Sequence, residues 1–152
     1  MAALNVLTQN IDKGLRSQQF CDQTATLCRV SSAFNEHPIP TFVNQVVLRL
    51  AEAFRDGSND LRIAIGRILG QCESQLTLAF SSVEIFRRIM TVSHSNDPEA
   101  RETVLDALKS LSIMDPENKQ AHHFIREALV TTHDGEFRAA CEAMSQFAKL
   151  SP

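Results

Sequence analysis

At 152 residues and 43% hydrophobic content, the chain is one domain by length and carries enough apolar residues for several helical layers. Fifteen Lys and Arg against eighteen Asp and Glu leave a net charge of −3, and the basic residues are scattered, so the concentrated positive face of a nucleic-acid binder is missing. No apolar run approaches the ~18 residues of a bilayer span, and Asn5, Gln9, Asn10 and Asp12 interrupt any signal-peptide core; an intracellular chain without a membrane partner is expected.

Leu4, Leu7, Ile11 and Leu15 mark a first amphipathic helix that Gly14 and Ser17 should end. A second, from about Ser17 to Glu36, carries Phe20, Thr24, Leu27, Cys28 and Phe34 on a weaker stripe. His37-Pro38-Ile39-Pro40 stops it, because each proline pushes its predecessor out of helical dihedrals and has no N–H to donate. The third helix, about Thr41 to Arg55, aligns Phe42, Val43, Val46, Val47, Leu50 and Phe54. A Gly57-Ser58-Asn59 turn leads into the fourth, about Asn59 to Glu73. The alternation of Leu76, Leu78 and Phe80 reads as a connector or an added helical turn, since one unpartnered alternation makes no sheet. Ser81-Ser82-Val83-Glu84 has capping-box spacing ahead of a fifth helix carrying Val83, Phe86, Ile89 and Met90. Asp97-Pro98 should open the sixth helix and Asp115-Pro116 the seventh, each with an N-cap carboxylate and a proline at the first helical position. His133-Asp134-Gly135 separates the seventh from an eighth that runs to about Lys149.

A fifteen-residue segment recurs through this series. The copies SNDLRIAIGRILGQC, DPEARETVLDALKSL and DGEFRAACEAMSQFA begin at residues 58, 97 and 134. Their fifth column holds Arg62, Arg101 and Arg138. Columns four, eight, eleven and fifteen hold Leu61/Ala100/Phe137, Ile65/Val104/Cys141, Ile68/Ala107/Met144 and Cys72/Leu111/Ala148, the spacing of one helical face. An apolar face returning every forty residues or so predicts an all-α, right-handed solenoid of about eight helices in four hairpins. The pair length fits armadillo or HEAT repeats. The repeat domain should occupy residues 1–152, with a degenerate first pair.

Arginine repeated in register most simply pairs with carboxylates or caps neighbouring helices, so Arg62, Arg101 and Arg138 are expected to form a structural ladder. Arg87 and Arg88, with Lys109 on the next helix, make a candidate basic interface. The eighth helix is apolar beyond the ~100° that one packing partner covers, which makes Phe137, Met144 and Phe147 candidate interface residues and the chain the N-terminal part of a longer solenoid. Cys21, Cys28, Cys72 and Cys141 form no CxxC pair and should be free, mostly buried thiols. His122 and His123 point about 100° apart on a helix and lack a third ligand or an HExxH frame. No catalytic residue, metal, cofactor or small-molecule substrate is expected.

Several runs resemble the N-terminal region of the Integrator complex subunit 7 family. They are DKGLRS at 12–17, HPIP at 37–40, LRLAEAFRDGSNDLR at 48–62, FRRIMTVSHSNDPEAR at 86–101 and NKQAHHFIREAL at 118–129. HSNDPEAR and QAHHFIR are the most distinctive, because generic helical repeats do not share their polar residues. The resemblance implies an armadillo-type, non-catalytic scaffold in a nuclear assembly that processes small nuclear RNA 3′ ends, attenuates RNA polymerase II transcription and is linked to the DNA damage response. It implies other Integrator subunits as partners, with RNA polymerase II and a protein phosphatase 2A module reached indirectly. The alternative is an armadillo-type adaptor or transport solenoid gripping extended peptides; the absence of tryptophan and of an asparagine ladder weighs against it.

Overall fold

The computed structural model describes residues 2–151, and every regular element among them is helical. Met1 and Pro152, the two ends of the expected domain, lie outside the described residues. In chain order the helices are α1 (Ala2–Leu15), α2 (Phe20–Glu36), α3 (Pro40–Asp56), α4 (Asn59–Gln71), α5 (Glu73–Leu76), α6 (Ser82–Thr91), α7 (Pro98–Leu111), α8 (Lys119–Ala128) and α9 (Asp134–Leu150). A 3-10 turn, Val92–His94, extends α6.

The helices pair along the chain: α1 packs on α2, α3 on α4, α6 and its 3-10 turn on α7, and α8 on α9. Second members then pack on one another in order, α2 on α4, α4 on α7 and α7 on α9, while α1 meets α3 and α3 meets α6. Phe42, Val43, Val46, Val47, Leu50, Ala51 and Phe54 follow the helical period along α3 and are all buried. Full burial of a side chain such as Phe54 or Phe86 contributes about 1.5–3 kcal/mol. Proline at the first position starts α3 and α7. Ser58 Oγ accepts from Leu61 N at 3.2 Å, and Asp97 Oδ1 accepts from Glu99 N at 3.0 Å.

Several local expectations hold and several change. α1 ends at Leu15, between Gly14 and Ser17 as expected, and a Cβ on Gly14 would collide with the Thr26 hydroxyl, so this glycine also sets the approach of α2. The buried face of α2 is Thr26, Leu27, Val30, Ala33 and Phe34; Phe20 is 47% exposed and Cys28 is exposed. The stretch around Leu76, Leu78 and Phe80 is, as expected, an added helical turn, α5, and an irregular link.

Ser81 makes no capping bond, because Asn44 holds it: Asn44 Nδ2 donates to Ser81 Oγ at 2.9 Å. Asp115-Pro116 does not open a helix. Asn118 caps α8 instead, its Oδ1 accepting from Ala121 N at 2.9 Å. Cys21 and Cys28 are exposed and Cys141 is partly so, leaving Cys72 as the buried thiol; desolvation pushes its pKa up.

The third copy of the repeated segment is rotated by one residue. Leu61, Ile65, Ile68 and Cys72 are buried, as are Ala100, Val104, Ala107 and Leu111. In α9 the buried set is Glu136, Ala139, Ala140, Ala143 and Phe147, which turns Phe137, Met144 and Ala148 outward. Alanines on both sides of α9 left that rotation open in the sequence.

Candidate protein-interaction site

The first helical turns of the repeated segments carry the polar ties of the stack. Arg62 reaches back to α3: Nε donates to Phe54 O at 2.8 Å, Nη2 to Arg55 O at 3.2 Å and Nη1 to Asn59 Oδ1 at 2.9 Å. Arg101 occupies the same place one copy later. Its Nη1 donates to Ser95 O at 2.8 Å, while Nε and Nη2 donate to Glu136 Oε1 at 3.1 and 2.7 Å. The Glu136 carboxylate holds the Arg101 pKa above its usual value. Arg138 is exposed and has no hydrogen-bond or ion-pair partner among the described residues, because the rotation of α9 moves it off the packed face.

Other ties span almost one repeat. Asn59 Nδ2 donates to Asp97 Oδ2 at 2.7 Å, Arg88 Nη1 to Leu48 O at 2.8 Å and Gln75 Nε2 to Asn35 Oδ1 at 2.7 Å. Asn44 Oδ1 accepts from Phe80 N at 3.0 Å and Ser81 N at 2.8 Å. Asn44, Asn59 and Glu136 escaped the sequence reading. The role of such a polar side chain is set by its partner, and these partners lie 35 to 38 residues away.

Arg87, Arg88 and Lys109 do not form one basic patch. Glu84 takes both arginines, with Arg87 Nη2 at 2.6 Å and Arg88 Nε at 2.9 Å, and they hold its pKa down to about 2. Lys109 pairs with Glu142 of α9 at 3.3 Å. Arg87 borders a groove of about 320 Å3 between α6 and α8, with Met90 and Phe124, whereas Lys109 borders one of about 440 Å3 between α4 and α7.

The α9 candidates separate in the same way. Phe137 and Met144 are 46% and 47% exposed, while Phe147 is 3% exposed and meets the His122 ring edge-on at 5.2 Å. Met144, Phe147 and Ala148 line an apolar groove of about 330 Å3 against His122 and Ile125. His122 Nε2 lies 2.7 Å from Pro116 O, and His123 Nε2 lies 3.0 Å from Glu127 Oε1. His133 caps α9, its Nδ1 accepting from Glu136 N at 3.2 Å. Each of these three histidines thus has a partner along its own stretch of chain. Among the described residues no three His, Cys, Asp or Glu side chains are grouped to hold a metal ion, and no helix is long and apolar enough to cross a membrane.

Serially packed helical pairs, tied to one another by polar contacts at their ends, define an all-α protein. A family model described as Integrator complex subunit 7, N-terminal, matches residues 8–152, and the chain belongs to that family. Over 147 residues it is 37% identical to Integrator complex subunit 7 of Bos taurus and equally to that of Drosophila melanogaster, covering 97% of this chain and 15% of each relative. The Integrator complex subunit 7 homolog of Dictyostelium discoideum is 30% identical over 146 residues, with 96% of this chain and 14% of the relative covered. The chain therefore spans about 15% of the length of the curated relatives it matches.

Proposed function

We propose that this chain is a non-catalytic scaffold segment of the Integrator complex, built as a right-handed armadillo or HEAT-like solenoid and holding sister subunits through its repeat surfaces. Family membership carries the reading. The serial packing of α2, α4, α7 and α9, with cross-ties 33 to 40 residues apart, supports the solenoid. In this reading residues 1–152 form one repeat domain at the N-terminal part of a longer stack, and the outward Phe137 and Met144 of α9 meet its next layer. The protein acts in the nucleus, in small nuclear RNA processing, transcription attenuation and the DNA damage response, with RNA polymerase II and the phosphatase module as indirect partners.

Affinity purification of the tagged parent protein from nuclear extract tests this function. Recovery of other Integrator subunits in stable proportion is expected. Recovery of the tagged protein alone contradicts the proposal.

A further inference from the structure

The fold gathers cations that are scattered in the sequence. Lys13 and Arg16 of α1, Arg29 of α2 and Arg49 of α3 border one groove of about 890 Å3, together with the carboxylates of Asp12 and Asp22. Those two carboxylates are already engaged. Asp12 faces Arg16 Nε at 3.1 Å and Arg49 Nε at 3.4 Å, and Asp22 Oδ2 accepts from Ser17 Oγ at 2.8 Å. Lys13 and Arg29 are exposed and make no ion pair or hydrogen bond among the described residues. In a chain of net charge −3, this groove holds a local positive excess that its own carboxylates do not neutralise.

Arg49 supplies a second, independent observation. Its Nε is a buried donor with no hydrogen-bond partner among the described residues, although Asp12 is close by. A buried N–H of a charged side chain is seldom left so. The side chain as a whole is 32% exposed and borders the groove. Asp12 thus attracts Arg49 without satisfying it, and an acceptor in the groove would complete its hydrogen bonding. The surroundings select the kind of anion. Arg16 and Arg49 also border a second groove, of about 500 Å3, with Glu52, Asp56 and Asp60. Arg55 takes Asp56 at 2.9 Å and Glu52 at 3.8 Å, while Asp60 has no ion pair among the described residues. A long phosphodiester chain would run into these carboxylates, whereas a short acidic segment of protein fits within the first groove.

We propose that the groove between α1, α2 and α3 binds a short acidic segment of a partner protein, its carboxylates pairing with Lys13, Arg29 and Arg49. The inference rests on the scaffold reading and names the chemistry of one of its contacts. From Gln9 to Arg16 the groove follows about 10 Å of α1, the length of roughly three extended residues. Alternate side chains of an extended segment point the same way, so two acidic residues separated by one other can face the cations together.

The test is a titration of isotope-labelled protein with acetyl-Ala-Glu-Ala-Glu-Ala-amide, its lysine counterpart, inorganic phosphate and a short oligouridylate, followed by amide chemical shifts. The glutamate peptide is expected to move Lys13, Arg29 and Arg49, and the other three, at the same concentration, to leave them in place. Lys13→Glu/Arg29→Glu should abolish the response. Arg49→Lys, which keeps the charge and loses the planar donors, should weaken it about tenfold. Arg126→Glu reverses an exposed charge on α8 and should leave the response within about twofold, because distant exposed charges are screened. Both charge-reversed variants should keep the native melting temperature, which separates lost binding from misfolding. No response to the glutamate peptide, an equal response to any of the other three ligands, or an equal loss in Arg126→Glu overturns the proposal. Integrator subunits recovered with the native protein while the glutamate peptide fails to bind would sink the groove and leave the scaffold reading intact. Failure to recover those subunits would sink the scaffold reading whatever the titration gives.

Discussion

Arg101 Nη2 lies 2.7 Å from Oε1 of Glu136, which is 3% exposed, so the second and third copies of the repeated segment are joined by an ion pair with one nearly buried end. Removing the arginine would leave a carboxylate with little water around it. Burial of an unpaired charge costs more than the pair contributes, so Arg101→Ala should destabilise the protein by about 3 kcal/mol. For a domain of this size that lowers the melting temperature by roughly 6–12 °C. Arg138→Ala should change stability by less than about 0.5 kcal/mol. Thermal unfolding of both variants checks the contrast, and equal losses would contradict the geometry described for α9.

Asn44 holds the link before α6 through two backbone N–H groups and one hydroxyl. Asn44→Ala should cost about 2–3 kcal/mol because it orphans partly buried donors. Hydrogen exchange at Phe80 and Ser81 should accelerate more than exchange in α3. Unchanged protection at those two amides would contradict the latch.

Glu84 supplies a pH dependence of known sign. Its folded pKa is about 2, below the ordinary 4.5, because Arg87 and Arg88 donate to it. The stabilisation is therefore fully present above about 4.5 and is lost as pH falls toward 2. A carbon-detected titration should place the Glu84 midpoint near 2, moving up toward the ordinary value in Arg87→Ala/Arg88→Ala. A native midpoint near 4.5 would rule out the paired geometry. If the same arginines serve as an interface, Arg87→Glu/Arg88→Glu weakens partner binding; unchanged binding excludes them from it.

Two aromatic residues of α9 should behave oppositely. Phe147→Ala removes a buried ring packed on His122 and should cost about 3–5 kcal/mol. Phe137→Asp with Met144→Asp alters half-exposed positions, so it should leave the melting temperature nearly unchanged while reducing concentration-dependent association in light scattering. Self-association that survives the double variant would show that this face does not cause it.

Much of the helical order was legible because it rests on local chemistry. The proline stop at 38–40, the turn at 57–59, the Asp97 cap and the apolar period of α3 each act within a turn or two, and each appears in the structure. What remained hidden depends on distant partners. Ser81 looks like an N-cap until Asn44, 37 residues earlier, is known to bond it. Glu136 looks like a surface carboxylate until Arg101 is placed beside it. The rotation of α9 was ambiguous because alanine fits either face.

Cross-linking mass spectrometry of the purified Integrator assembly, using the lysines at 13, 109, 119 and 149, tests the scaffold claim most directly. The account predicts reproducible cross-links from this segment to more than one other Integrator subunit. An assembly whose subunits cross-link to one another but never to this segment would contradict it.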